Sequence, residues 1–204
     1  MDFLFDGNES AARTVVLAHG AGAPMDSSFM ATIAQGLAER GLRVVRFEFP
    51  YMAYRRAHGV RKGPDRAPVL LECWRDVIAR LGGPDDLVIG GKSMGGRIAT
   101  MIADEQKVAG LVCFSYPFHP AGRQETTRTA HLRTLETPTL ILQGTRDPLG
   151  NRDDVAGYDL SPAIALHWLD DGDHDLKPRK ASGRTHVQNL DEAVQAAAGF
   201  VLAL

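Results

Sequence analysis

Cysteine is scarce: Cys73 and Cys113 are the only two in 204 residues. Two cannot build a disulfide framework, so the fold must rest on its core. Cys73 lies in a helical pattern and Cys113 in a strand-like run, where reduced, partly buried thiols are expected. Long apolar runs are missing too. None approaches the roughly 18 residues that cross a bilayer, so no membrane helix is expected. Met1 to Asp6 lacks a basic region ahead of a long apolar core. A secretory signal is therefore not expected, the expected location is cytoplasmic, and the sequon Asn8-Glu9-Ser10 carries no meaning there. An excess of either charge is absent: 23 Lys and Arg stand against 25 Asp and Glu, a formal net charge of −2. That balance gives no bulk attraction to nucleic acid or acidic membrane, and neither is expected as a partner. There is no internal repeat and no low-complexity tract.

What is present reads as an ordinary globular chain. Hydrophobic residues make up 44% and charged residues 24%. A chain of this length suits one domain, residues 1–204, and buries roughly 70% of its unfolded surface. Apolar runs of four to six residues alternate with longer helical patterns, which predicts βα units around a parallel sheet. Phe3 to Phe5 is a candidate edge strand, and Thr14 to Ala18 a buried one. Asp26, Ser27 or Ser28 can cap a helix running to about Arg40, with Gly41 as its stop. Leu42 to Phe49 is the next strand, ended by Pro50. Tyr51 to Pro68 reads as an irregular basic loop, and Val69 to Leu81 as helix. Strands are expected at Val108–Ser115, Thr139–Gln143 and Ala163–Leu169, with one helical turn near Leu132–Leu135 and a short helix at Asp153–Tyr158. His186 to Leu204 closes the chain as an amphipathic helix with Val187, Leu190, Val194, Ala197 and Val201 on one face.

One stretch organises the rest. Leu87-Val-Ile enters it, Gly91-Lys92-Ser93-Met94-Gly95 fits G-x-S-x-G, and a helix-like run from Arg97 to Asp104 leaves it. Strand, tight turn and helix make this pattern a nucleophile elbow. The serine needs a sharp turn, so the positions two before and two after it must be small; Gly91 and Gly95 are. The turn lifts the Ser93 hydroxyl above the sheet edge and leaves the Met94 N–H facing the same space, ready to bind a developing oxyanion. A phosphate loop is the rival reading of Gly91-Lys92-Ser93. It needs a glycine five positions before Gly91, where Asp86 stands, and the residues between are strand-like.

Sites in open parallel sheets form beyond the carboxyl ends of the strands. Five predicted strand exits carry polar or glycine-rich residues: His19-Gly-Ala-Gly22, the Tyr51 stretch, Ser93, Asp147 and His174. A serine hydroxyl is a weak nucleophile and needs a base. His174 is the candidate base, and Asp147 the group that orients it. Asp147-Pro148 is also a common turn-former, and His174 sits among the rival acids Asp170, Asp171 and Asp173, which are too near it in sequence to orient it from the far side. The Ala21 N–H is the expected second oxyanion donor, with Gly22 in reserve; His19 reads as a structural histidine. Arg55, Arg56, Arg61, Lys62 and Arg66 leave two readings open: a clamp for an anionic group on the substrate, or a solvated run paired with the acidic loop 170–175. Lys92 is a substrate contact or a surface residue, and Tyr116, Phe118 and His119 wall an acyl pocket or simply pack. No metal-ligand spacing is found: Asp171, Asp173 and Asp175 alternate without the remainder of a calcium loop.

Val16-Leu-Ala-His-Gly-Ala-Gly22, Gly90-Gly-Lys-Ser-Met-Gly-Gly-Arg97, Leu142-Gln-Gly-Thr-Arg-Asp147 and Asp171-Gly-Asp-His174 together resemble a small α/β-hydrolase without an inserted lid. The set is similar to the dienelactone-hydrolase-like group. With Phe49-Pro-Tyr-Met52 and the arginine-rich stretch it looks closer to a branch that includes the hydrolase-like domain of a eukaryotic NSL chromatin-complex subunit. The resemblance implies a mostly parallel sheet of six to seven strands with helices on both faces, a Ser93–Asp147–His174 triad and an oxyanion loop. Dienelactone hydrolases use a cysteine nucleophile, from which Ser93 departs. The resulting expectation is a cofactor-free serine hydrolase acting on a small, possibly anionic, ester or thioester. A non-catalytic scaffold that keeps the fold is the alternative, and the oligomeric state is left open.

Overall fold

A computed structural model describes residues 1–204. Seven strands form one sheet: β1 (Phe3–Asp6), β2 (Thr14–Ala18), β3 (Arg43–Phe47), β4 (Leu87–Lys92), β5 (Gly110–Phe114), β6 (Thr139–Gly144) and β7 (Ile164–Leu169). Their order is β1-β3-β2-β4-β5-β6-β7, and only β1 pairs antiparallel. The strand order reverses around β2 and β4, so the exits of these two strands open the crevice where the sheet can hold a ligand.

The helices are α1 (Ser28–Glu39), α2 (Pro50–His58), α3 (Ala67–Arg80), α4 (Met94–Thr100), α5 (Ala103–Gln106), α6 (Arg152–Ala156) and α7 (His186–Leu202). Successive strand side chains point to opposite faces, so two cores result. On β2, Val15 and Leu17 join Ile33 and Leu37 of α1 and Val194 and Val201 of α7. Val16 and Ala18 join Trp74 and Val77 of α3 and Ile98 and Ala99 of α4. The expected sheet, with helices on both faces, is observed.

Several local expectations need correction. The stretch after Pro50 is not loop throughout. Pro50 starts α2, because its fixed φ suits the first helical turn, and Gly59 at φ 66° stops it. Only residues 59–66 stay irregular. The run leaving the elbow is two short helices, α4 and α5, broken at residues 101–102. Val187 is 75% exposed, although Leu190, Val194, Ala197 and Val201 are buried. Helical spacing alone cannot tell where a helix overhangs the layer it packs on.

Candidate active site

The site is built at the exits of β2, β4, β6 and β7. The turn after β4 holds Ser93 at φ 51°, ψ −115°, a conformation that side chains other than glycine seldom adopt. The Ser93 N–H donates to the Phe114 carbonyl at 2.9 Å, tying the elbow to β5. A Cβ on Gly91 would stand 2.0 Å from the Ala18 carbonyl oxygen, and one on Gly95 2.3 Å from the same atom. Neither position admits a side chain, which is the physical content of the two glycines in G-x-S-x-G.

His174 Nε2 lies 2.9 Å from Ser93 Oγ, and His174 Nδ1 lies 2.8 Å from Asp147 Oδ2. Three side chains up to 81 positions apart thus form one hydrogen-bonded row. Asp147 is 0% exposed, and every contact to it is a donor. Its Oδ1 accepts the Leu149 N–H at 2.8 Å, and its Oδ2 accepts Gln143 Nε2 at 3.0 Å. Gln143 was not singled out from sequence. The signal was available: it is the one amide in the apolar strand Thr139-Leu-Ile-Leu-Gln143, two residues from the turn that carries the acid. Its Nε2 also faces the carbonyls of Tyr116 at 3.2 Å and Gly150 at 2.9 Å, which orients the amide.

The rival acids have other partners. Asp171 is held by Arg179 and Arg146, and the Arg179 guanidinium brings its carboxyl down to about 2. Asp173 Oδ1 caps the turn by accepting from the Asp175 and Lys177 amides. The loop bearing His174 is pinned from three further sides. Lys92 Nζ donates to the His174 carbonyl and lies 3.3 Å from the Asp175 carboxylate. His186 Nε2 donates to the Asp175 carbonyl at 2.8 Å. Asn189 Nδ2 donates to the Leu176 carbonyl at 2.9 Å. Lys92 is therefore not a surface residue: it is 8% exposed, and burial lowers its pKa.

The loop after β2 faces Ser93. His19 reads as structural and is: its Nε2 accepts the Phe49 N–H at 3.1 Å, so Nδ1 carries the proton given to the Gly20 carbonyl at 2.6 Å. Burial lowers the pKa of this imidazole. The Tyr51 hydroxyl, pushed up to about 12 by burial, reaches the same carbonyl at 3.3 Å and the Ala21 carbonyl at 3.1 Å. A trans peptide sets C=O and N–H on opposite sides. Two carbonyls drawn inward therefore turn the Ala21 and Gly22 N–H groups away from Tyr51. The Met94 N–H opens α4, where the first amides lack helical partners.

A cleft of about 720 Å³ opens between this loop, the start of α1 and the start of α7. Ser93, His174 and Ala21 line it, along with Lys92, Phe29, Lys177 and His186. Arg55, Arg56 and Phe118 do not. Arg55 donates to the Lys62 carbonyl and lies over the Tyr51 ring. Arg56 pairs with Glu48 and Asp26, not with the loop 170–175. Phe118 is 0% exposed and packs against Tyr116 and Tyr158. Arg56 of the basic run is thus drawn away by acids just after β3 and just before α1. No group of three or more His, Cys, Asp or Glu side chains is arranged to hold a metal ion, and no helix is long and apolar enough to cross a membrane.

Solved structures share this architecture. An alpha-beta serine hydrolase homologue from Coxiella burnetii is 22% identical, with 95% of this chain and 90% of that one covered and a TM-score of 0.69. XC6422 from Xanthomonas campestris, a serine hydrolase without lid, is 21% identical over 96% and 86% of the two chains, also at 0.69. Est1E from Butyrivibrio proteoclasticus, solved with ferulic acid bound, is 15% identical over 100% and 96%, at 0.73. Identities this low speak for the fold. The model of the alpha/beta hydrolase domain matches residues 11–202. The chain belongs to the alpha/beta hydrolase domain family.

Proposed function

We propose that residues 1–204 form one serine hydrolase domain that cleaves a small ester or thioester through an acyl-enzyme. The observation that carries this reading is the row Ser93–His174–Asp147, with both hydrogen bonds at 2.9 Å or less, at the edge of a cleft. Ser93 Oγ attacks the carbonyl carbon while His174 Nε2 takes its proton. Asp147 stabilises the imidazolium and fixes which nitrogen is free. The Met94 and Ala21 amides bind the oxyanion. His174 then returns the proton to the departing alcohol or thiol. Water enters, gives its proton to His174, and frees the acid with Ser93 regenerated. The similarity to the NSL-subunit branch adds no substrate to this scheme. Labelling by a fluorophosphonate probe tests it: wild type should react covalently and Ser93→Ala should not. Folded wild type that resists the probe would favour a scaffold without turnover.

Two supports of the row give separate predictions. Tyr51→Phe leaves the ring in place and removes the hydroxyl that holds the Gly20 and Ala21 carbonyls. Losing an oxyanion donor outright costs about 3 kcal/mol of transition-state binding. Tyr51 acts only through that donor, so kcat should fall roughly tenfold with KM unchanged, read from steady-state kinetics. An unaltered kcat would mean that His19 alone sets the loop. Lys92→Met keeps the apolar stem and removes the ammonium. The His174 carbonyl then loses a charge-assisted bond worth about 1.5–3 kcal/mol, and kcat should drop about 10- to 100-fold. An increase in KM confined to anionic esters, with kcat intact, would instead make Lys92 a substrate contact.

A further inference from the structure

Gln143, near the end of β6, is 0% exposed. Its Nε2 faces three acceptors: Asp147 Oδ2 at 3.0 Å, the Gly150 carbonyl at 2.9 Å and the Tyr116 carbonyl at 3.2 Å. An amide nitrogen carries two hydrogens, so three oxygens compete for them. Its Oε1 is buried and meets no donor in the protein. Flipped, the amide would set that oxygen against the other three, so the surroundings allow one orientation. An apolar side chain would fill the same space without leaving an acceptor unpaired. Gln143 is therefore placed for its two hydrogens.

The acceptors belong to different parts of the site. Tyr116 lies just beyond β5, whose Phe114 carbonyl anchors the Ser93 N–H. Gly150 closes the turn that carries the acid, its N–H donating to the Asp147 carbonyl at 3.1 Å. That glycine lies under Phe118: at φ 148°, a Cβ on it would stand 2.6 Å from Phe118 Cδ2. The carboxylate itself is held at two points, Oδ1 by the Leu149 N–H and Oδ2 by Gln143. With the first alone it could pivot about Oδ1 and swing Oδ2 off His174 Nδ1, now at 2.8 Å. The donor is also neutral. A cation would hold the carboxylate too, as Arg179 and Arg146 hold Asp171, but it would offset the charge that stabilises the imidazolium.

We propose that Gln143 is the positioning residue of the acid. Its amide keeps Asp147 Oδ2 on His174 Nδ1 without cancelling the carboxylate's charge, and it ties the exit of β5 to the turn that carries Asp147. Its effect on turnover rests on the hydrolase reading above; its effect on the imidazole does not.

Gln143→Glu keeps the shape. A carboxyl brings at most one hydrogen to three oxygens, and once ionised it repels Asp147. The base must be neutral to act, and an added anion favours the charged ring, so the acid limb of the kcat/KM profile should move up by about one pH unit. The charged or titratable side chains around the pair are Lys92, Asp173, Asp175, Arg146, His119 and Asp154, and none of them bonds to Gln143. The Tyr116 hydroxyl donates instead to the Arg128 carbonyl. Gln143→Leu keeps most of the bulk and removes both hydrogens; kcat should fall about tenfold or more, with KM within twofold. Proton NMR observes the ring directly. The His174 Nδ1–H signal of wild type should shift in Gln143→Glu and broaden by exchange with water in Gln143→Leu. A loss of activity equal at every pH, with that signal unmoved, overturns the assignment, because the side chain then only fills space. A wild type that neither turns over nor takes the fluorophosphonate probe, but whose Nδ1–H signal responds to both exchanges, sinks the hydrolase reading and keeps Gln143 as the residue that positions Asp147. If Gln143→Leu does not fold, Gln143→Glu carries the pH profile, the kinetics and the NMR.

Discussion

Ser93→Ala is expected to lower kcat about 10⁶-fold, with KM changed by less than a few fold. Nothing else at the elbow offers a replacement nucleophile. The Ser93 N–H bond to Phe114 and the tight fits at Gly91 and Gly95 involve only backbone, so they survive the substitution. Alanine keeps the Cβ, and the turn at φ 51° is no more strained than before. The fold and the oxyanion amides should therefore persist, and residual turnover should come from them alone. Steady-state kinetics on an activated ester, beside circular dichroism of both proteins, checks this. Turnover within tenfold of wild type would remove Ser93 from the chemistry.

The second large effect is expected at Asp147. Asp147→Asn should cut kcat about 10⁴-fold while the protein stays folded, by analogy with a triad in which this exchange has that size. The surroundings say why. Asp147 Oδ1 accepts from the Leu149 amide, and Oδ2 accepts from both Gln143 and His174. An asparagine keeps its oxygen on the Leu149 N–H and turns its NH₂ toward the other two. Against His174, that NH₂ demands an acceptor at Nδ1 and moves the ring proton to Nε2, where the base must be free. Gln143 cannot turn its own oxygen inward without losing the Tyr116 and Gly150 carbonyls. Steady-state kinetics, with proton NMR of the ring N–H to identify the tautomer, reads this out. A fall of less than tenfold would mean that another acid orients His174, although Asp171 and Asp173 are already engaged.

The elements most visible in the sequence were those with short-range causes. The elbow is written in two glycines whose missing side chains a neighbouring strand demands. The parallel sheet follows from four- to six-residue apolar runs broken by turns. The end of α1 at Gly41, with φ 86°, was visible for the same reason. Helix α2 was hidden because Arg55, Arg56 and His58 give it a loop-like composition, although Pro50 and Gly59 mark its two ends. Gln143 was passed over because a lone amide in a strand states nothing until its partners are known.

What the chain alone determined was local: strand, turn and helix alternation, the small residues of the elbow, and polar groups at the strand exits, because each depends on near neighbours and backbone sterics. Only the tertiary structure decided which charges are spent on one another. Arg56 was drawn to Glu48 and Asp26, Arg55 was left to the Lys62 carbonyl, and Lys92 was buried beneath the His174 loop. Ion pairing acts through space and depends on burial, and neither distance nor burial is written in the order of the residues.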